Sequence, residues 1–197
     1  MPDFWIFFKI GLHHVLDIHG YDHLLFLIVL TVPYVAKDRK RILILVSFFT
    51  LGHTLSLLLS VFNVITIKGS LVELLIPITI LITAIFNLII AGKSTKTSNL
   101  SFISGATIFF GIIHGLGFST YFNSILPGKP VDKLGPLFEF ALGIESAQIV
   151  VVLGVLILAF ISQTLLRFNK RDFTLIMSSF VIGVILPLLI ENPIWHK

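Results

Sequence analysis

Some of the chain's ionisable residues fall where water cannot easily follow. His53, His114 and Glu145 lie inside long apolar runs, and Asp22 and His23 open another. On insertion scales an Asp, Lys or Arg at the centre of a membrane helix costs about 2.5–3.5 kcal/mol, so an ionisable residue there calls for a partner or a function. At a helical rise of about 1.5 Å per residue, His53 lies roughly 14 Å below Phe62, His114 roughly 12 Å below Phe122 and Glu145 roughly 16 Å past Leu134. Three polar side chains on three separate segments therefore share a depth. Local spacing points the same way. His19, Asp22 and His23 stand at i, i+3 and i+4, as do Thr50, His53 and Thr54, while Glu145 and Gln148 stand at i and i+3, each set on one helical face. Gly111 and Gly115 bracket His114 as a small-xxx-small pair that admits a neighbouring helix. Imidazole suits nickel, copper, zinc and iron, and carboxylates offset the charge of a cation. There is no cysteine, so the softest metal ligands are missing. The plainer reading of any one of these residues is an interhelical hydrogen bond; their common depth favours metal or proton chemistry.

The elements that must carry these residues follow from composition. Of 197 residues, 56% are hydrophobic and 12% charged, with a mean hydropathy of +1.03. Soluble domains carry about twice that charge, which excludes an ordinary soluble enzyme and equally a disordered chain. Against the roughly 20 apolar residues that a spanning helix needs, the chain divides into runs at Gly20–Tyr34, Ile42–Phe62, Leu71–Ile90, Leu100–Leu126, Leu134–Leu166 and Phe173–Ile190. An earlier apolar piece, Phe4–Leu16, is too short to cross alone and reads as an interfacial helix, a re-entrant helix or the first half of a broken span. The expected fold is all-α: a polytopic transmembrane helical bundle of six spans plus an N-terminal short or broken helix, seven helical segments in a single integral membrane domain over 1–197. Pro127–Pro136, rich in proline and glycine, reads as a structured turn. Met1-Pro2-Asp3 lacks the basic start of a cleavable signal peptide.

The net charge of +4 does not indicate nucleic acid, because the cations sit in short loops between apolar runs. Loops 36–41, 92–99 and 167–172 hold nine of the Lys and Arg residues and the rest of the chain five. Six spans put those three loops on one side, the cytoplasmic side by the positive-inside rule, with the C-terminus outside. No P-loop is present, so no nucleotide is expected. The partners expected are a metal ion and the lipid bilayer, and a homo-oligomer is left open.

At these same residues the sequence resembles the second branch of the HupE/UreJ family of small bacterial membrane proteins. The family's opening block reads here as Gly11-Leu-His-His14-Val-Leu-Asp-Ile-His-Gly20-Tyr-Asp22-His23-Leu-Leu-Phe-Leu27. The later blocks read as Phe49-Thr-Leu-Gly-His53-Thr-Leu-Ser-Leu57, Phe110-Gly-Ile-Ile-His114-Gly-Leu-Gly-Phe118 and Leu142-Gly-Ile-Glu145-Ser-Ala-Gln148. The resemblance covers nearly the whole chain and implies a bacterial inner-membrane protein that takes up nickel or a related metal. It also selects His14 among the upstream histidines, although His13 and His19 blur the match.

The expected metal site is then His14, Asp22, His23, His53, His114 and Glu145, with Gln148, Thr50 and Thr54 orienting those ligands. The leading function is a nickel- or cobalt-type permease with its site in the outer half of the membrane. The alternative is a membrane-embedded, zinc-type metal-dependent hydrolase in which Glu145 or Asp22 is the general base to a metal-activated water. His13, Asp17 and His19 are expected near the outer surface. Glu73 and Glu139 are expected to meet water at span ends, Asn87 and Thr83 to hold helices together, and the 19 phenylalanines to pack or face lipid.

Overall fold

The computed structural model describes residues 4–17, 20–92, 100–126 and 128–196. Among them are seven α-helices and no strand: α1 (Phe4–Leu16), α2 (Asp22–Thr31), α3 (Arg39–Val61), α4 (Gly69–Ile90), α5 (Leu100–Ile125), α6 (Leu134–Thr164) and α7 (Lys170–Ile190). In lipid every backbone N–H and C=O must be satisfied within its own segment, and a helix does so. Five helices, α3 to α7, are long and apolar enough to cross a membrane. Their outward faces are apolar, with Phe102, Phe138, Phe160, Leu165 and Ile190 all well exposed, as befits a surface solvated by lipid tails.

The run expected to be the first full span differs. Its helix, α2, has ten residues, about 15 Å of rise, and cannot cross alone. α1 ends at Leu16 and α2 begins at Asp22. The two short helices occupy different levels. α1 packs along the start of α6, while the end of α2 is tied to the opposite end of the bundle. There Asn87 Nδ2 donates to the Val29 carbonyl at 2.6 Å and Thr174 Oγ1 to that of Val32 at 3.1 Å. Asn87 therefore joins helices as expected, whereas Thr83 bonds back to Thr79 of its own helix.

Two crossings set the interior. A methyl placed on Gly52 would sit 2.2 Å from the Ile108 carbonyl oxygen, and one on Gly111 would sit 2.3 Å from that of Phe49. The contact advances from Phe49 beside Gly111 to His53 beside Gly115, so α3 and α5 run parallel. Gly11 against Phe140 and Gly143 against Phe8 repeat that mutual approach between α1 and α6. Close backbone contact of this kind is how helices gain dispersion energy in lipid, where no hydrophobic force drives them together.

The two ends of the bundle differ. At one end Pro33, Gly92, Lys170 and Arg171 line a common cavity, and Lys37 lies beside the end of α6; we call this the basic end. At the far end Lys133 Nζ donates to Asn123 Oδ1 at 3.0 Å and Asn123 Nδ2 to Ser60 Oγ at 3.2 Å. Lys133 belongs to a short 3-10 turn, Pro130–Lys133, inside the segment expected to be a structured turn. Lys93, Lys96 and Pro127 lie outside the described residues.

Candidate metal centre

Three imidazoles meet in the interior. His14 ends α1, His23 opens α2 and His53 lies in the far half of α3. Their ring centroids are 4.6 Å apart for His14–His23 and 5.7 Å for the other two pairs. One ring nitrogen from each lies within 4.8 Å of the other two. Nitrogens bound at about 2.0–2.1 Å to one ion stand no more than about 4.2 Å apart, so a small rotation of the rings closes the group around a metal. His114 of α5 is the fourth imidazole, its ring 5.1 Å from that of His23.

Glycine placement explains the convergence. Gly11 precedes His14 by three residues, as Gly111 precedes His114, and Gly52 directly precedes His53. Each glycine lies at a crossing where two backbones nearly touch, so the histidine beside it is delivered to the bundle interior. The late start of α2 brings His23 down to the same level.

The protonation pattern of two rings can be read from their partners. His114 Nδ1 lies 2.8 Å from the Phe110 carbonyl oxygen, which only accepts, so Nδ1 donates and Nε2 carries the lone pair. His23 Nδ1 donates in the same way to Asp22 Oδ1 at 3.2 Å, leaving its Nε2 for the cluster. Asp22 thus orients a histidine through that ring's other nitrogen, the arrangement common behind metal-bound imidazoles. Among the described residues, five buried ring nitrogens have no hydrogen-bond partner: His14 Nε2, His23 Nε2, His114 Nε2 and both nitrogens of His53. Histidines kept as glue between helices would have spent those nitrogens on one another or on carbonyls.

The walls are aromatic. Phe118 lies against His14 with centroids 4.0 Å apart and stacks on Phe140 at 4.9 Å. Phe49 and Phe26 stand beside His114 at 5.0 and 5.3 Å. These phenylalanines had offered no signal beyond packing; they dry and shape the site. A cavity of about 700 Å³, lined by Lys9, His13, His14, Asp17, Phe118 and Tyr121, reaches His14 from the side of the far end. His13 is exposed and His14 largely covered, so the cluster takes the second of the adjacent pair. His19 lies outside the described residues.

Glu145 is placed elsewhere. Ser47 Oγ donates to Glu145 Oε1 at 2.6 Å, Thr50 Oγ1 is hydrogen-bonded to Glu145 Oε2, and Thr50 Oγ1 lies 2.9 Å from Gln148 Oε1. This second polar group lies between α3 and α6, apart from the three-histidine set. Ser47 went unremarked in the sequence, although Ser47, Thr50 and His53 are spaced three apart. Thr54 is half-buried and has no hydrogen bond to either group. Glu73 is exposed as expected, but Glu139 is half-buried with its Oε2 covered and unpartnered, because α6 carries it towards the interior.

A family model described as HupE / UreJ protein matches residues 1–191 of this chain. No curated protein and no solved structure matches it.

Proposed function

The chain belongs to the HupE/UreJ family, and on that premise we propose that it is a permease for a divalent transition metal of the nickel or cobalt type, held in transit by His14, His23, His53 and His114. The observation that carries this reading is the group of five buried imidazole nitrogens without protein partners, four of them on His14, His23 and His53, each of which offers a nitrogen within 4.8 Å of the other two. Neutral imidazoles bind nickel, cobalt and zinc through such nitrogens, and the donor set alone does not choose among these metals. Asp22 supplies a compensating negative charge and holds the His23 ring.

In this reading α1 and α2 form a sixth, interrupted crossing. Broken helices at the bilayer midplane are tolerated where they line a site, and they are frequent in transporters. The basic end faces the cytoplasm of the bacterial inner membrane. Metal enters from outside through the cavity below Tyr121, and the membrane potential, about 2.3 kcal/mol per charge per 100 mV, draws it inward. Hydrolysis has no comparable support. Glu145 is bound to two hydroxyls and Asp22 to His23, so neither carboxylate stands free beside the imidazoles as a general base.

The test is uptake of Co²⁺ or Ni²⁺ by proteoliposomes containing the purified chain, with His53→Ala and His114→Ala in parallel. Wild type should accumulate metal and both variants should lose at least ten-fold in rate. Normal uptake by both variants would sink the proposal.

A further inference from the structure

The two glycine crossings are one crossing used twice. A methyl added to Gly111 meets the carbonyl oxygen of Phe49, three residues before the facing Gly52, and the nitrogen of His53, one residue after it; a methyl on Gly52 meets Ile108 and Ile112 by the same rule. Between α1 and α6 the rule holds again. Gly11 meets Phe140 and Ile144, and Gly143 meets Phe8 and Leu12, so α1 and α6 are parallel as α3 and α5 are. The sequence marks which helix answers to which. α1 and α5 share Gly-x-x-His, from Gly11 to His14 and from Gly111 to His114, while α6 and α3 share Phe-x-Leu-Gly, from Phe140 to Gly143 and from Phe49 to Gly52. The two pairs point in opposite directions, because α3 starts from the basic end and α6 finishes there beside Lys37. Inverted copies of one unit, meeting at a central site, are a recurring build of secondary transporters.

The correspondence extends to the rings around the cluster. Phe118 and Phe140 stack at 4.9 Å and lie 4.0 and 5.8 Å from His14. Phe26 and Phe49 stack at 4.7 Å and lie 5.3 and 5.0 Å from His114. Each stack borders a cavity. The large one at Phe118 takes in His14 and Ile10; a second, of about 330 Å³, lies at Phe26 between α2, α4 and α5 and takes in Phe110, the counterpart of Ile10. The two sides differ in state. His14 and Phe118 are partly exposed, whereas Phe26, Phe49 and His114 are sealed at 0%, 0% and 1% exposure. We infer that the Phe26–Phe49 stack is the inner gate of the permease, the shut counterpart of Phe118–Phe140, and that the cavity behind it is the exit vestibule towards the basic end. The inference rests on the permease reading above and gives its ion a way out. Aromatic constrictions gate by excluding water, and rocking of α1–α6 against α3–α5 exchanges which side of the cluster is wet.

Single thiols can report on both sides, because the chain has no cysteine. Thr107 lines the inner cavity at 2% exposure, and Ile10 lines the outer one. Thr107→Cys and Ile10→Cys would each be treated in lipid nanodiscs with a charged methanethiosulfonate, which reacts only where water reaches. Without metal, Ile10→Cys should react and Thr107→Cys should not. Saturating Co²⁺ should speed the reaction of Thr107→Cys at least ten-fold and slow that of Ile10→Cys at least three-fold, and His53→Ala should abolish both responses. Adding Phe26→Ala to Thr107→Cys should expose the thiol at 107 without metal, whereas adding Phe118→Ala should not. A thiol at 107 whose reactivity Co²⁺ leaves unchanged overturns the gate, and so does one that a folded Phe26→Ala variant leaves sealed. Should that variant not fold, the Co²⁺ response decides alone. Thiols at 10 and 107 that speed up together also overturn it, since that is one open pore and not two gates. Each of these failures leaves the permease reading standing as long as wild-type proteoliposomes take up Co²⁺; absence of that uptake would overturn the permease reading itself.

Discussion

Asp22 and His23 show what one hydrogen bond decides. The carboxylate accepts from His23 Nδ1, which fixes the tautomer and points a lone pair at His14 and His53. Removing such a partner costs a metal site 10–100-fold in affinity as a rule. Asp22→Ala should therefore bind Co²⁺ or Ni²⁺ 10–100-fold more weakly in equilibrium titration, while His13→Ala, altering an exposed neighbour of the cluster, should stay within two-fold. An affinity unchanged in Asp22→Ala would mean that His23 is oriented by packing alone. Much of this site was legible in the sequence, since rise per residue fixes depth and the imidazoles do share one level. Depth does not fix direction around the helix axis. Glu145 has the right depth, but α6 turns it towards Ser47 and Thr50.

At the scale of elements, the crossings matter more than the individual helices. Nothing in the run Ile42–Phe62 or Leu100–Leu126 says which helix lies against which, but glycine beside histidine marks where two backbones meet. Gly52→Ala and Gly111→Ala would each drive a methyl to within about 2.3 Å of a partner carbonyl oxygen. Backbone cannot yield as a side-chain tip does, so α3 and α5 must separate and the imidazoles with them. Both variants should give little folded protein by size-exclusion chromatography, or should melt well below wild type. Gly105→Ala and Gly183→Ala are the matching controls, because a methyl there meets nothing within 4 Å and alanine gains about 0.8–1 kcal/mol of helix propensity over glycine. They should melt at or above the wild-type temperature. Equal loss in all four would mean that glycine flexibility, rather than close approach, is what the fold needs. The five long helices follow their apolar runs to within a few residues, since in lipid hydrophobic length and helix length are one constraint. The first run misled because continuous hydropathy cannot reveal where a helix begins. Tyr21 and Gly20 read as part of a span, yet α2 begins only at Asp22.

For the molecule as a whole, orientation decides function. The cavity beside His14 opens towards the end that carries Tyr121 and Asn123, and the cations gather at the other end around Lys37, Lys170 and Arg171. If the basic end is cytoplasmic, the cavity faces outside, and a potential negative inside pulls a dication from cavity to cluster with about 4.6 kcal/mol per 100 mV for full transit. Positive charge in loops was legible because Lys and Arg are costly to translocate. The cavity was not, since it depends on where the chain breaks between α1 and α2. The chain has no cysteine, so single cysteines can be added without background. Lys37→Cys and Lys129→Cys both replace exposed residues at opposite ends. In intact bacterial cells a membrane-impermeant maleimide should label the cysteine at 129 and leave that at 37 unreacted until the cells are permeabilised. Labelling of 37 alone would invert the molecule. The wide cavity would then collect metal from the cytoplasm against the potential, and the same imidazoles would belong to an exporter that needs another source of energy.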